Sequence, residues 1–564
     1  MATKLELTWY GKEERVAIEP RILVENKELS NIEKDVNTEN ILIHGDNLLA
    51  LKALEQKYSK SIQCIYIDPP YNCNALGVPF DDNIEHSIWL SLMRERLIVL
   101  NNLLADDGVF CCQCDDEEQA YLKVLCDEVF GRNNFLNMIV VESGEVFGKK
   151  AAHITKKFVK VKDYILMYAR KSDNFEIKPL WTKTNEPYDT HYSNFINEET
   201  LEKSSIVDIV KEDENLISEF LKYGVKISIK NFSKMMQLSE LFKRFIIENS
   251  SSIYCDQPFS AKVPEEIEKT MTVGKIFKFK NMLIFKTGGS TIRYYKPFSD
   301  SIKYSNDYNI EFTRTTARGD LWKNYHQDMR NVDDEGSVSF KNSKKPERLI
   351  HDILLSFTKQ GDIVLDSFLG SGTTCAVAHK MNRKWIGIEM GEHAYTLCKP
   401  RLDSVIQGEK SGVSNRSNWL GGGGYRFYEL APTLIKEDDF GQEIINPEYN
   451  KEMLSAAVAL HEGYQYAPDE ECYWKQAKNN NSYLYVTTQH IKREHIERIK
   501  LDIKDGEFLL VVCKSFESNC IQGEKNIIVK KIPQSLLKNC EFNKDNYNLN
   551  IINPPLYEEE EDDE

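Results

Sequence analysis

The chain has 564 residues, 41% hydrophobic and 28% charged, enough for about three or four domains at roughly 100–200 residues each. That balance excludes collagen-like, mucin-like and wholly disordered chains. No apolar run approaches the ~18 residues of a spanning helix, and Met1 to Glu6 lacks the apolar stretch of a secretory signal, so a cytoplasmic protein with no membrane partner is expected.

The net charge of −16 speaks against a polyanion partner until it is divided along the chain. Residues 1–130 carry −12, residues 131–330 carry +6 and residues 331–564 carry −10. A local basic stretch is what meets phosphates, so the middle of the chain is where a nucleic acid would dock.

Residues 1–40 are polar and weakly periodic and read as an N-terminal arm. Ile41 to His44 reads as a strand, Gly45-Asp46-Asn47 as a turn with a helix cap, and Leu48, Leu49, Leu51 and Leu54 as one face of a helix. Ile62 to Ile67 is a β-branched and aromatic run, hence a buried strand. It must stop at Asp68-Pro69-Pro70-Tyr71, because proline donates nothing to a ladder. A helix over 88–104, a strand over Val109 to Cys114 and a helix from Glu117 to Val129 continue the alternation. Such a series implies an α/β, doubly wound, largely parallel sheet. The thirteen cysteines include Cys111-Cys112-Gln113-Cys114, but no second pair or histidines stand at zinc-ligand spacing, so no metal is expected.

Residues 176–335 lose the alternation and read as an insertion between two catalytic segments, 41–175 and 336–430. Strands return at Ile363 to Leu365 and Trp385 to Ile388. Gly421 to Gly424 leads out to a mixed α+β segment, 431–564, whose acidic end (Glu558 to Glu564) is expected to be disordered.

Two motifs carry chemistry. Asp366-Ser367-Phe368-Leu369-Gly370-Ser371-Gly372-Thr373 follows a strand and opens a helix, and its two glycines permit a tight turn with backbone N–H groups close to a ligand. Glu389 ends the next strand, where a carboxylate suits ribose hydroxyls. Cys375 stands where a dinucleotide fingerprint wants a third glycine, and the glycine pair alone fits an ordinary strand–helix turn as well. Asp68-Pro69-Pro70-Tyr71 sets a carboxylate, a rigid kink and an aromatic ring at the carboxyl end of a strand, where open α/β sheets bind ligands. Asp68 and the Pro69 carbonyl can accept the two hydrogens of an exocyclic amino group and draw its nitrogen towards tetrahedral geometry. Tyr71 offers a face on which a flipped base stacks, worth ~1–3 kcal/mol. A capped Pro-Pro turn explains the tetrapeptide alone equally well.

Together the two motifs resemble the amino-group DNA methyltransferases that use S-adenosylmethionine (AdoMet), in the β-class order with Asp-Pro-Pro-Tyr first. Gly45-Asp46-Asn47, Asp68 to Asn72, Trp89-Leu90, Arg96-Leu97, Asp107-Gly108-Val109, Asp127 to Gly131 and Lys345-Pro346-Glu347-Arg348-Leu349-Ile350 are similar to modification subunits of type III restriction–modification systems. The resemblance implies a Rossmann-like AdoMet-dependent fold with circularly permuted motif order, an inserted target recognition domain (176–335) and a C-terminal dimerisation or partner domain (431–564). It implies cofactor contacts from Asp46, Lys345, Pro346, Asp366, Phe368, Gly370, Gly372, Thr373 and Glu389, and catalysis by Asp68, Pro69, Pro70 and Tyr71. The implied reaction is methylation at N6 of a flipped adenine in double-stranded DNA, by a homodimer that joins a helicase-nuclease restriction subunit. A solitary or type II enzyme, N4-cytosine methylation, an RNA substrate and a non-catalytic specificity subunit are the alternatives. Leu369 and Ser367 depart from the family's usual Ala and aromatic residue.

Within 271–330, Lys278, Lys280, Lys286, Arg293, Lys296, Lys303, Arg314 and Arg318 alternate with aromatics. By composition alone this is a solvated β-rich face. Its position between the catalytic halves resembles the family's reader of DNA sequence.

Overall fold

Leu23–Glu25 (β1), Ile41–His44 (β2), Ile62–Ile67 (β3) and Leu104–Cys114 (β4) are the first strands of a ten-stranded sheet. They are seen in a computed structural model that describes residues 6–13, 18–71, 86–146, 158–289, 291–330, 332–340, 344–532 and 542. Phe135–Glu142 (β5) and Lys162–Ala169 (β6) extend that sheet on one side. Its middle is parallel, in the order Arg426–Leu430, β2, Lys384–Glu389, Ile363–Asp366, β3, β4. Beyond β4, β6 and β5 run antiparallel. The alternation of β-branched runs with amphipathic helices is therefore realised as the expected doubly wound sheet.

Helices cover both faces. Asn47–Tyr58 (α1), His86–Leu103 (α2) and Gln119–Cys126 (α3) bury Leu49, Leu97 and Leu122 against Ile65, Ile67, Phe110 and Ile388. On the other face lies the helix Thr373–Lys380, and a Cβ at Gly387 would stand 2.6 Å from Cys375 Sγ. Glycine at 387 thus lets that helix close on the strand.

The contacts divide the chain into two units, 1–178 with 320–564, and 179–319. The expected insertion ran to 335, but Leu321 and Trp322 pair in parallel with Val140 and Val141 of β5, which places this stretch in the first unit. The N-terminal arm is also less free than its composition suggests. Leu23 to Glu25 pair with Leu430 to Tyr428, and the buried Glu19 accepts Leu434 N at 2.7 Å and Thr433 Oγ1 at 2.9 Å.

The unit 179–319 holds a six-stranded and a three-stranded sheet. It also contains helices that the sequence reading did not resolve: Ile206–Glu212, Glu214–Lys222, Phe232–Leu238 and Glu240–Glu248. Asp213 and Ser239 cap two of them, and Phe220, Phe232 and Phe242 interlock beneath. Several of its basic residues are spent internally: Arg293 on Asp256 (3.0 Å), Arg314 on Asp189 (2.9 Å), and Lys303 over the Trp181 ring (3.3 Å). Lys278 and Lys280 are exposed. An open cleft of about 560 Å³ is lined by Gln257, Tyr294, Lys296, Arg314, Thr315 and neighbouring residues.

The segment 431–564 is mixed α+β, as expected: Gln465–Tyr466, Ala477–Asn479 and Ser482–Ile491 pair antiparallel, and a βαβ unit follows. Ser482–Ile491, Phe508–Phe516 and Ile527–Lys531 are parallel, with Lys451–His461 and Arg493–Lys500 feeding separate cores on either side. The acidic run 558–564 lies outside the described residues. No helix among the described residues is long and apolar enough to cross a membrane.

Candidate active site

β3 pairs in parallel with Ile363–Asp366, Cys64 opposite Val364 and Ile65 opposite Leu365. The chain therefore leaves both strands at the same sheet edge, and Asp68-Pro69-Pro70-Tyr71 emerges beside the glycine loop. Pro69 is buried, and the Pro70 carbonyl accepts Trp89 Nε1 of α2 at 3.0 Å, which fixes the kink. The Asp68 carboxylate meets Lys345 Nζ through Oδ2 at 2.7 Å. Burial raises its pKa, Lys345 and the Tyr71 hydroxyl pull it back, and Asp163 pushes it up again. Tyr71 influences the carboxylate without completing a hydrogen bond to it: among the described residues, Asp68 Oδ1 and the Tyr71 hydroxyl are both buried without a partner.

The glycine loop is braced from within. Asp366 accepts Phe368 N at 2.9 Å and Thr374 Oγ1 at 2.6 Å. Its burial, beside Asp68 and Glu389, lifts its pKa to about 7. Gly370 (φ +57°) and Gly372 (φ +81°) lie in the left-handed region, where a side chain costs roughly 1–2 kcal/mol. A Cβ on Gly370 would stand 3.4 Å from the Phe340 ring, and one on Gly372 would stand 3.3 Å from Cys398 Cα. Phe368 and Gly370 are the half-buried positions of the loop, whereas Leu369 is buried against Gly387. The unusual leucine thus packs behind the loop. Glu389 accepts Gly370 N at 2.7 Å and Gly391 N at 3.0 Å, and burial raises its pKa.

Several expected cofactor residues have other work. Asp46 caps α1, accepting Leu48 N at 2.9 Å and Leu49 N at 3.1 Å through Oδ1, while Oδ2 takes Arg96 Nη2 at 3.2 Å. Both oxygens are engaged in a buried group, so the helix cap expected at this turn is present. Lys345 faces Asp68. Pro346 starts the helix Glu347–Phe357. Thr373 Oγ1 accepts Arg401 Nη1 at 2.7 Å, and Asp366 turns into its own loop. Phe368, Gly370, Gly372 and Glu389 remain grouped at the sheet edge.

Sequence reasoning missed the residues that lock these pieces together. Asn47 Nδ2 donates to the Ser367 carbonyl at 2.7 Å, tying the start of α1 to the glycine loop. Arg401 Nη2 and Lys380 Nζ meet the two oxygens of Glu347 at 2.8 and 2.7 Å, all three side chains fully buried. Removing one member of such a cluster leaves an uncompensated charge. No spacing rule could reveal it, since its members come from three separate helices. Among the described residues, no three His, Cys, Asp or Glu side chains gather as metal ligands.

A family model described as DNA methylase matches residues 62–400, from β3 through the glycine loop to the helix beyond Glu389. The chain belongs to the DNA methylase family. Among its curated relatives, the probable type III restriction-modification enzyme HindVI Mod subunit of Haemophilus influenzae is 35% identical, over 70% of this chain and 54% of its own. The EcoPI Mod subunit of Escherichia phage P1 is 27% identical over 67% of this chain and 61% of its own. The EcoP15I Mod subunit of Escherichia coli is 24% identical over 80% and 76%. The chain thus spans little more than half the length of the first two relatives that it matches.

Proposed function

We propose that the chain transfers the methyl group of S-adenosylmethionine to N6 of an adenine flipped out of double-stranded DNA, as the recognition and modification subunit of a type III restriction–modification system. The observation that carries this reading is the emergence of Asp68-Pro69-Pro70-Tyr71 and the Gly370–Gly372 loop from adjacent parallel strands at one sheet edge. The residues fit the cofactor: two left-handed glycines shape a cradle that side chains would fill, and a carboxylate closes its far end.

When bound, the cofactor supplies an electrophilic methyl on a sulfonium. The remaining tasks fall to the chain. Phe368, Gly370, Gly372 and Glu389 hold and orient it. Asp68 accepts one amino hydrogen of the target, which draws the nitrogen lone pair out of ring conjugation, and Tyr71 stacks the base. The proton lost on methylation passes to the Asp68 carboxylate or on to water. Base extrusion costs a few kcal/mol, which stacking and phosphate contacts offset. The exposed Lys278 and Lys280 suit phosphates, and the cleft lined by Gln257 and Lys296 suits base edges.

The same amino clamp would take N4 of cytosine, and the aspartate at 68 rather than serine favours adenine. The type III assignment is supported by the Mod subunits to which the chain is similar, and a cytoplasmic homodimer that joins a helicase-nuclease partner is the assembly we propose with it. The test is expression in a methylation-free host followed by sequencing that detects modified bases. Methylated adenine on one strand of an asymmetric site is expected. Adenine methylated on both strands of a palindrome would turn the reading to a type II or solitary enzyme, and methylated cytosine would change the target.

A further inference from the structure

Motif position pointed Lys345 at the cofactor, but its geometry points elsewhere. Its ammonium lies 2.7 Å from Asp68 Oδ2 and 4.8 Å from the centre of the Tyr71 ring. Both members of the ion pair are largely shielded, with side-chain exposures of 16% and 17%. Asp68 Oδ1 is closed off from solvent and, among the described residues, accepts nothing. A buried carboxylate oxygen without a donor costs stability unless a donor arrives during function.

The surroundings make the lysine matter. Asp163 on β6 and Asp366 at the end of the neighbouring strand both repel charge on Asp68, and Tyr66, Cys112 and Cys114 on β3 and β4 face it as neutral groups. Lys160 approaches the Tyr71 ring at 5.8 Å and pairs with Asp115. Among the described residues, Lys345 is the cation in contact with the Asp68 carboxylate itself.

We propose that Lys345 is a positioning residue for methyl transfer: it holds Asp68 by one carboxylate oxygen and leaves the other turned towards the target amino group. The inference rests on the methyltransferase reading above and assigns Lys345 to the base side of the site. The lysine thereby does two things. It fixes the rotation of the carboxylate, and its charge counters the desolvation that would otherwise protonate Asp68 and destroy its capacity to accept.

The test compares wild type, Lys345→Met and Lys345→Arg, using tritiated AdoMet, genomic DNA from a methylation-free host and calorimetric AdoMet binding. The Met variant is expected to bind AdoMet within about twofold of wild type. Its kcat should fall roughly ten- to a hundredfold at neutral pH, with the acid limb of the pH–rate profile moved up by about one unit or more, one unit being tenfold in the ionised fraction. The Arg variant, which keeps the charge, should recover most of the rate and return the acid limb towards wild type. A Met variant with an unmoved acid limb overturns the proposal. So does a loss of AdoMet affinity in step with the loss of rate, which would make Lys345 a cofactor ligand. A wild-type protein that methylates no DNA while binding AdoMet would instead remove the functional reading, and this proposal with it.

Discussion

Glu389 accepts the backbone N–H of Gly370 at 2.7 Å, so a carboxylate ending one strand holds the loop that ends its neighbour. Its other oxygen takes Gly391 N at 3.0 Å. These are charge-assisted bonds in a buried setting, each worth roughly 1.5–3 kcal/mol. Glu389→Ala should release the loop and weaken AdoMet binding roughly ten- to a hundredfold by calorimetry. Unchanged affinity would show that the glycine loop holds its shape without the carboxylate.

The two motifs should separate cleanly by mutation. Asp68→Ala removes the amino-group acceptor and should abolish methylation while AdoMet still binds. Gly370→Val and Gly372→Val force a β-branched residue into the left-handed region against Phe340 and Cys398, and should lose AdoMet binding itself. Radiolabel transfer and calorimetry on the same preparations distinguish the two. An active Asp68→Ala enzyme would sink the mechanism.

Most of this site was legible because its signals are local. Two prolines after a β-branched run stop a strand wherever they occur, and a glycine pair between a strand and a helix marks a turn. What could not be read depends on distant partners. Lys345 reaches Asp68 only because the helix Glu347–Phe357 begins beside the glycine loop, where Thr373 Oγ1 donates to the Lys345 carbonyl at 3.4 Å. Leu23 to Glu25 is too short to show a period of two, and it becomes a strand through pairing with Arg426–Leu430. Leu321-Trp322 is a two-residue strand defined by β5, so the edge of the insertion had no signal of its own. The helices around Phe220 and Phe242 do carry apolar residues at helical spacing, Leu216 and Phe220 in one and Phe242 and Ile246 in the other, but each is only nine residues long and the Asn, Ser and Lys of the surrounding stretch hid that signal.

Asp46 offers a direct contest between two roles. Its buried carboxylate caps α1 and pairs with the buried Arg96. Asp46→Ala removes the cap, worth ~0.5–2 kcal/mol, and strands a buried guanidinium, which costs a further few kcal/mol. Thermal unfolding should therefore drop by several degrees, and the surviving folded fraction should bind AdoMet with near wild-type affinity. A large loss of affinity at unchanged stability would restore the adenine-ligand role.

Asp366 sets a pH dependence of stability. Burial lifts its pKa from 3.8 to about 7 in the folded chain, so folding takes up a proton. Its contribution is fully present below the unfolded value and is lost as pH rises through about 7. Asp68 and Glu389 are raised in the same direction and widen the effect. Asp366→Asn keeps an acceptor for Phe368 N without the charge. The melting temperature of wild type should fall relative to that of the variant as pH rises from about 4 to about 7 and level off above that, and parallel curves would place the ionised form comfortably in the fold.

The basic residues of the 179–319 unit divide into two kinds, and the division predicts different phenotypes. Lys278 stands exposed on the strand Ile276–Phe279 and Lys280 in the turn that follows, where loss of charge should leave the fold intact. Each phosphate contact contributes about −0.9 to the slope of log affinity against log salt. Lys278→Ala with Lys280→Ala should flatten that slope by about two and weaken DNA binding at every sequence, with AdoMet affinity unchanged. Arg314 is different, because it pairs with Asp189 at 2.9 Å and donates to the Glu186 carbonyl at 3.1 Å. Arg314→Ala should therefore destabilise the unit before it alters the salt slope. Titrations at several salt concentrations, read beside melting curves, check both. A double lysine variant that binds DNA with the wild-type slope would move the phosphate contacts to another face.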